Sequence, residues 1–377
     1  NYIDQSIAAN KREGNMYHAY NLVKFTDNKI QIRYLYEMLE GQVAVLSSGK
    51  LCPEESIKVL LALRNSSLYR ADQNSYILYP NKKLPSFLEK NNIKAEVVAG
   101  NSLLSRLVSA GDKTIICADK KGGFHFNAGF NNAGFLNSAL LKIQQSGIVE
   151  VSASDLQSVL DIYENIFDHQ SFTGRSGTFY KYEGLGCIYW HMVSKLLLAV
   201  GENIRKAEYL QKSPMVLKTL RNYYHDIKDG IGAHKSPLAY GSFPFDPYSH
   251  TPTMAGVQQP GMTGQVKEDI MNRFFELGIS ITKGCINIKP ALLNLNEFLK
   301  PGTDGAYPEI KFSYCSIPFS YLLDEMNGME IYFSDGQTEK IDSYTLSQDL
   351  SRRIFERDEH ILQISVHLGK KSFTGAM

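Results

Sequence analysis

The chain has 377 residues, 43% of them hydrophobic and 21% charged, with 40 Lys and Arg against 39 Asp and Glu, a formal net charge of +1. This balance excludes a disordered tail, a collagen and a coiled coil, and a near-neutral chain lacks the field that holds a nucleic-acid backbone. The length fits two domains, and the 22 Tyr and 19 Phe suit either a Tyr-rich core or a wet, sugar-like surface that uses a flat ring with a polar tip.

The first 70 residues read mostly as helix. Tyr34, Leu35, Met38, Leu39, Val43 and Leu46 fall near helical spacing. Pro53-Glu54-Glu55 marks a helix start, with Pro in the first turn and acids at the positive end of the dipole. Residues 75–100 form a break, with a turn at Tyr79-Pro80-Asn81 and a short helix opening at Pro85. Ile115–Ala118 and Phe124–Phe126 flank Gly122-Gly123 and predict a hairpin. Helices follow over 131–145 and 153–168, the second capped by Ser152 or Ser154 with Asp155 in its first turn. Residues 185–201 are apolar almost all round, which predicts a buried helix carrying Trp190, His191 and Lys195. Another helix covers 214–229.

Residues 230–262 are rich in Gly and Pro and have little periodicity. Their aromatics and lack of charge predict a functional loop rather than disorder. After about residue 278 the period changes to two. Strands are expected at 279–281, 285–288, 311–316, 329–333 and 361–366, with Asp335-Gly336 as a hairpin turn. The expected organisation is a helical domain over 1–276 and a β domain over 277–377.

Cys52, Cys117, Cys187, Cys285 and Cys315 are scattered and lack C-x-x-C spacing, which argues against a zinc ribbon or redox pair. Five free thiols favour a cytoplasmic setting over a periplasmic one. No stretch approaches the roughly 18 apolar residues of a membrane span, and no signal peptide is visible. The start at Asn1, without Met, reads as a fragment or a processed product.

Two segments carry the chemistry. The first, residues 173–186, feeds the buried helix. Its glycines let a ligand approach the backbone, and its hydroxyls and amides suit an anion or a sugar hydroxyl. Arg175 fits a carboxylate or phosphate. Glu183, beside aromatics in a helix-entry loop, is the candidate acid; pairing with Arg175 or Lys195 is its structural alternative. No Walker loop and no G-x-S-x-G elbow is present. The second segment, residues 243–268, holds Asp246 and His250 four apart in a Pro-framed loop. Gln258 and Gln259 offer paired donors and acceptors for sugar hydroxyls. Thr263 is either part of that site or the cap of a helix over 266–275. His191, His225, His234 and His250 lack metal-ligand spacing, and His18 and His125 read as half-buried structural histidines. No metal is expected.

Tyr182-Glu183-Gly184-Leu185-Gly186 with Tyr189-Trp190-His191-Met192, then Asp246–Pro252 and Gln258–Gln265, resembles large bacterial proteins related to the cellobiose phosphorylase group. The resemblance spans residues 170–370. It implies a mostly α chain, an α/α-toroid-like helical domain followed by an antiparallel β-sandwich. It implies an inverting glycoside hydrolase or phosphorylase acting on an oligosaccharide or glucan, needing no cofactor beyond inorganic phosphate as co-substrate if it is a phosphorylase. Glu183 and then Asp246 are the catalytic candidates. Arg175, Tyr182, Trp190, His191, Tyr248, His250, Gln258 and Gln259 would bind substrate, and Ser176 and Thr178 would receive phosphate. The expected partner is a carbohydrate, with neither nucleic acid nor membrane. The rival readings are a non-catalytic carbohydrate-binding or scaffolding fragment, and a toroid-type lyase using Tyr182 with His191 or His250.

Overall fold

The computed structural model describes residues 2–26, 28–81, 85–147, 149–168, 186–241, 248–251, 257–260, 263–290, 292–299 and 307–369. At residues 233, 248–251, 258–260 and 263–265 only the backbone is considered. In chain order the elements begin with α1 (Tyr2–Ala9), β1 (Asn21–Thr26), β2 (Lys29–Tyr34), α2 (Leu39–Ser47), α3 (Pro53–Arg64), β3 (Tyr69–Arg70) and β4 (Ser75–Tyr76). Then come α4 (Phe87–Lys90), α5 (Ala95–Gly100), α6 (Ser102–Ser109), β5 (Ile116–Ala118), β6 (Phe124–Phe126), α7 (Ala133–Ser146) and α8 (Ala153–Phe167). After these lie β7 (Ile188–Tyr189), α9 (Trp190–Tyr209), α10 (Pro214–Asp229), α11 (Pro237–Tyr240), β8 (Tyr248–Thr251), β9 (Gln258–Pro260) and α12 (Thr263–Glu276). The last are β10 (Ile279–Thr282), β11 (Cys285–Ile288), β12 (Glu309–Tyr314), β13 (Ile317–Asp324), β14 (Gly328–Phe333), β15 (Thr338–Ile341), α13 (Gln348–Phe355) and β16 (Ile361–Gly369).

The chain divides into two compact units. One comprises Asn1–Val45, Leu61–Tyr189 and His250–Gln258; the other comprises Leu46–Leu60, Trp190–Ser249 and Gln259–Met377.

In the first unit, the core runs from Ile93 to Phe167 through Leu103, Leu104, Leu107, Leu136, Leu140 and Val159, all fully buried, with Tyr163 at its centre. The helices around it are well terminated. Asn101 caps α6, Asn132 caps α7, and Ser152 and Asp155 form a reciprocal capping box on α8. A cap of this kind is worth about 1 kcal/mol. The Ser152 backbone N–H and the hydroxyls of Ser102 and Ser152 hold the Asp155 carboxyl down at about 2. Before this core, Gln42 reads like a piece of backbone: it donates to the Tyr17 carbonyl and accepts from the Tyr17 N–H, at 2.8 and 2.9 Å.

The expected helix through Tyr34 is replaced by the antiparallel hairpin β1–β2, with Val23 opposite Ile32 and Phe25 opposite Ile30. Here Lys29-Ile30-Gln31-Ile32-Arg33-Tyr34 alternates with period two, and the alternation overrides the looser helical spacing that begins at Tyr34.

In the second unit, α9 packs along α10 and α12. Gly201 lets the Phe275 ring approach; a Cβ there would lie 3.0 Å from it. Buried Asn203 receives the Ser56 hydroxyl at 2.7 Å and donates to the carbonyls of Leu46 and Ala199. The β portion is a single five-stranded sheet in the order β12-β13-β16-β14-β15. β13 and β16 run parallel, and the other neighbours are antiparallel. Its core residues Phe319, Tyr321, Ile331, Ile364 and Val366 cluster with Leu350 and Ile354 of α13 and with Ile279, Ile286 and Ile288 of the hairpin β10–β11.

These findings correct the expected fold class. Of the described residues 46% are helical and 23% are in strands, with several small sheets and one five-stranded sheet, so the described chain is mixed α and β rather than mostly α. The hairpins β1–β2, β3–β4 and β5–β6 interrupt the helices, and among the described residues there is no run of paired helices of the kind an α/α toroid needs. The late strands make one mixed sheet, packed on a helix and a two-stranded hairpin, rather than an antiparallel sandwich. Strand periodicity located β12, β14 and β16 but carries no information on direction or on what packs across the face.

Candidate functional site

Most of the sequence-predicted site lies outside the described residues. This holds for Glu183, Asp246, Arg175, Ser176, Thr178 and Tyr182. Tyr248, His250, Gln258 and Gln259 are described by backbone alone, on β8 and β9; His250 pairs with Tyr189 across β7–β8. Trp190 and His191 are described in full, and both open α9.

The Trp190 ring is 1% exposed. It lies 5.7 Å from the Tyr240 ring, with the Lys235 ammonium 4.7 Å above its face. Gly232 is required beside this stack, because a Cβ there would sit 2.3 Å from Tyr240. A ring covered in this way anchors the start of α9.

His191 is one residue further on, about a quarter exposed, with Nε2 3.8 Å from the Glu268 carboxylate of α12. Burial and the nearby Lys195 ammonium push the imidazole below its ordinary value, while Glu268 works in the opposite direction. An imidazole beside a carboxylate can accept or relay a proton. Lys267 also approaches Glu268, at 3.8 Å.

Glu268 is one of three residues that sequence reasoning missed. Glu268, Asn272 and Glu276 follow each other at i, i+4 and i+8 on α12, and each is less than 5% exposed. They form a buried polar stripe. Asn272 donates to the Ser194 carbonyl at 3.2 Å. Glu276 accepts from Tyr224 at 3.0 Å and pairs with Lys228 at 2.7 Å and Arg273 at 2.8 Å. Beside the stripe the Ser194 hydroxyl donates to Asp269 at 3.1 Å. The signal was available: three polar residues at helical spacing, on a helix that also shows Phe275 and Phe274. A buried carboxylate is stable only when partnered, so the stripe commits α12 to α9 and α10 at fixed positions. Glu276 is the anchored end and Glu268 is the end that faces His191.

Other histidines make contacts away from α9, among them His367, whose Nδ1 lies 2.6 Å from Asp324. His125 Nδ1 donates to the Asn91 carbonyl, 2.6 Å away, and Nε2 lies 3.2 Å from Asp119; its pKa is raised chiefly by the Asn91 carbonyl. His18 stacks on Tyr34 at 4.1 Å. Among the described residues, no group of three or more His, Cys, Asp or Glu is placed to hold a metal ion, and no helix is long and apolar enough to cross a membrane. All five cysteines are free.

Residues 84–170 match the family model of GH149 phosphorylase insertion domain 2. This relates the protein to a glycoside phosphorylase family, a coarser statement than the cellobiose phosphorylase group that its loops resemble. The matched segment coincides with a physical object: the core of α4–α8 and β5–β6 begins at Ile93 and ends at Phe167. No curated protein matches the chain.

Proposed function

We propose that the protein belongs to an enzyme that phosphorolyses a glycosidic bond in an oligosaccharide or glucan. The observation that carries this reading is the match of residues 84–170 to a phosphorylase insertion domain, over a segment with its own buried core. In the proposed reaction a phosphate oxygen attacks the anomeric carbon from the face opposite the glycosidic oxygen. The carbon–oxygen bond breaks as an acid delivers its proton to the departing oxygen. The products are a sugar 1-phosphate of inverted configuration and a saccharide one unit shorter.

Glu183 is the proton donor in this reading, and Asp246 is the second carboxylate. Arg175, Ser176 and Thr178 receive phosphate, where a guanidinium fork and hydroxyls suit its oxygens. Tyr182, His191, Tyr248, His250, Gln258 and Gln259 meet the sugar in this reading, and the buried Trp190 anchors the start of α9. Glu268 sets the orientation and charge of His191.

The test is sugar 1-phosphate formation from a panel of oligosaccharides, with and without inorganic phosphate. Glu183→Gln is expected to lower kcat by about 10²–10⁴. Cleavage that proceeds equally well without phosphate would make the protein a hydrolase. Undiminished activity in Glu183→Gln would remove that residue as the acid. Glycan binding without turnover would favour a non-catalytic carbohydrate-binding role. A separate measurement addresses His191. By NMR its ring is expected to titrate below the ordinary 6.5. Lys195→Met should raise that midpoint and Glu268→Gln should lower it further; a midpoint unmoved by either variant would break the assigned coupling.

A further inference from the structure

Among the described residues, nothing covers one face of the hairpin β1–β2. Val23, Phe25, Ile30 and Ile32 share that face by register, and their exposures are 51, 75, 66 and 54%. Tyr34 continues it at 51%, with one side of its ring stacked on His18. The opposite face carries Lys24, Lys29, Gln31 and Arg33, of which Arg33 pairs with Asp168 at 2.9 Å. A two-stranded hairpin is marginal by itself in water and gains stability when its apolar face is covered.

We infer that this face is a self-association surface, covered by the same hairpin of a second copy of the chain. Three observations favour that occupant. First, all the hairpin's cationic residues are on the back, so a two-fold arrangement brings no like charges together, and the apolar face has no charge to select a charged partner. Second, the face is self-complementary in shape class, with β-branched residues on both sides of a single Phe, as an isologous contact requires. Third, the area suffices. Phe25 and Tyr34 offer about 250 Å² between them on the usual size of an aromatic side chain. With the β-branched residues the face reaches on the order of 500 Å², at the upper end for a monomer. Two such faces remove about 1,000 Å² from water, the threshold of a specific interface and the mark of a weak, concentration-dependent dimer.

Sedimentation velocity over about a hundred-fold range of protein concentration tests this. The mass is expected to rise from 42.4 kDa toward twice that value. Hydrogen exchange of the amides of residues 21–34 should slow in parallel. Phe25→Lys and Ile32→Glu are each expected to weaken the dimer at least about ten-fold, roughly the cost of a charge on a small apolar contact, with unchanged circular dichroism and melting temperature. Leu362→Glu, at another exposed apolar position, should leave association unchanged. A wild-type protein that stays monomeric throughout would overturn the inference, as would dimers that persist in both hairpin variants. A monomer whose hairpin becomes protected only on anionic lipid vesicles would overturn it in favour of a membrane surface.

Discussion

Ile331 in β14 and Ile32 in β2 both sit in antiparallel strand pairs with alternating sequence, yet Ile331 is fully buried and Ile32 is 54% exposed. The difference lies in what each face meets. The five-stranded sheet has α13 and the hairpin β10–β11 against it, contributing Leu350, Ile354, Ile279, Ile286 and Ile288 to one core. The ties of the hairpin β1–β2 among the described residues include Arg33 to Asp168, Tyr34 to His18 and the Asn21 amide to Asn10, and its residues belong to no large buried cluster comparable to that of the sheet. Alternation therefore specifies a strand with two unlike faces, and burial depends on a second element that local sequence does not name.

Three substitutions sharpen this contrast. Ile331→Ala should cost about 2–5 kcal/mol in denaturant unfolding, because the sheet face is closed and cannot collapse onto the cavity. Tyr321→Phe should cost about 1–3 kcal/mol, since the Tyr321 hydroxyl donates to the Leu277 carbonyl at 2.7 Å in the same core and its loss leaves that carbonyl unpaired. Ile32→Ala, measured at low protein concentration, should change stability by no more than about 0.5 kcal/mol. A loss at Ile32 as large as that at Ile331 would mean that the hairpin face is sealed within one copy, and the contrast would fall.

Much of the local structure was legible. Pro53-Glu54-Glu55 opened α3, Ser152 with Asp155 opened α8, and the expected strands 279–281 and 285–288 became β10 and β11, because caps and short alternating runs depend on a few adjacent residues. The hairpin β1–β2 was missed because Tyr34, Leu35, Met38 and Leu39 imitate a helical stripe across the junction between β2 and α2. The parallel pairing of β13 with β16 could not be read, since direction is set by partners 45 residues away, as in Ser320 with Ser365. Trp190 and His191 were expected on a buried helix, and they open α9. Glu268 was overlooked because a buried carboxylate resembles a solvated one until the facing helix is known. The loops that hold Glu183 and Asp246 lie outside the described residues.

The order of the five-stranded sheet also bears on synthesis. β16 lies between β13 and β14, so the strand made last fills the middle. Without β16, β12–β13 and β14–β15 share no native pairing with each other, and each keeps an open edge where β16 belongs. Formation of this sheet is therefore a closing event that follows translation of residue 369, and the two waiting edges are the places where a chaperone or a neighbouring nascent chain competes with the native strand.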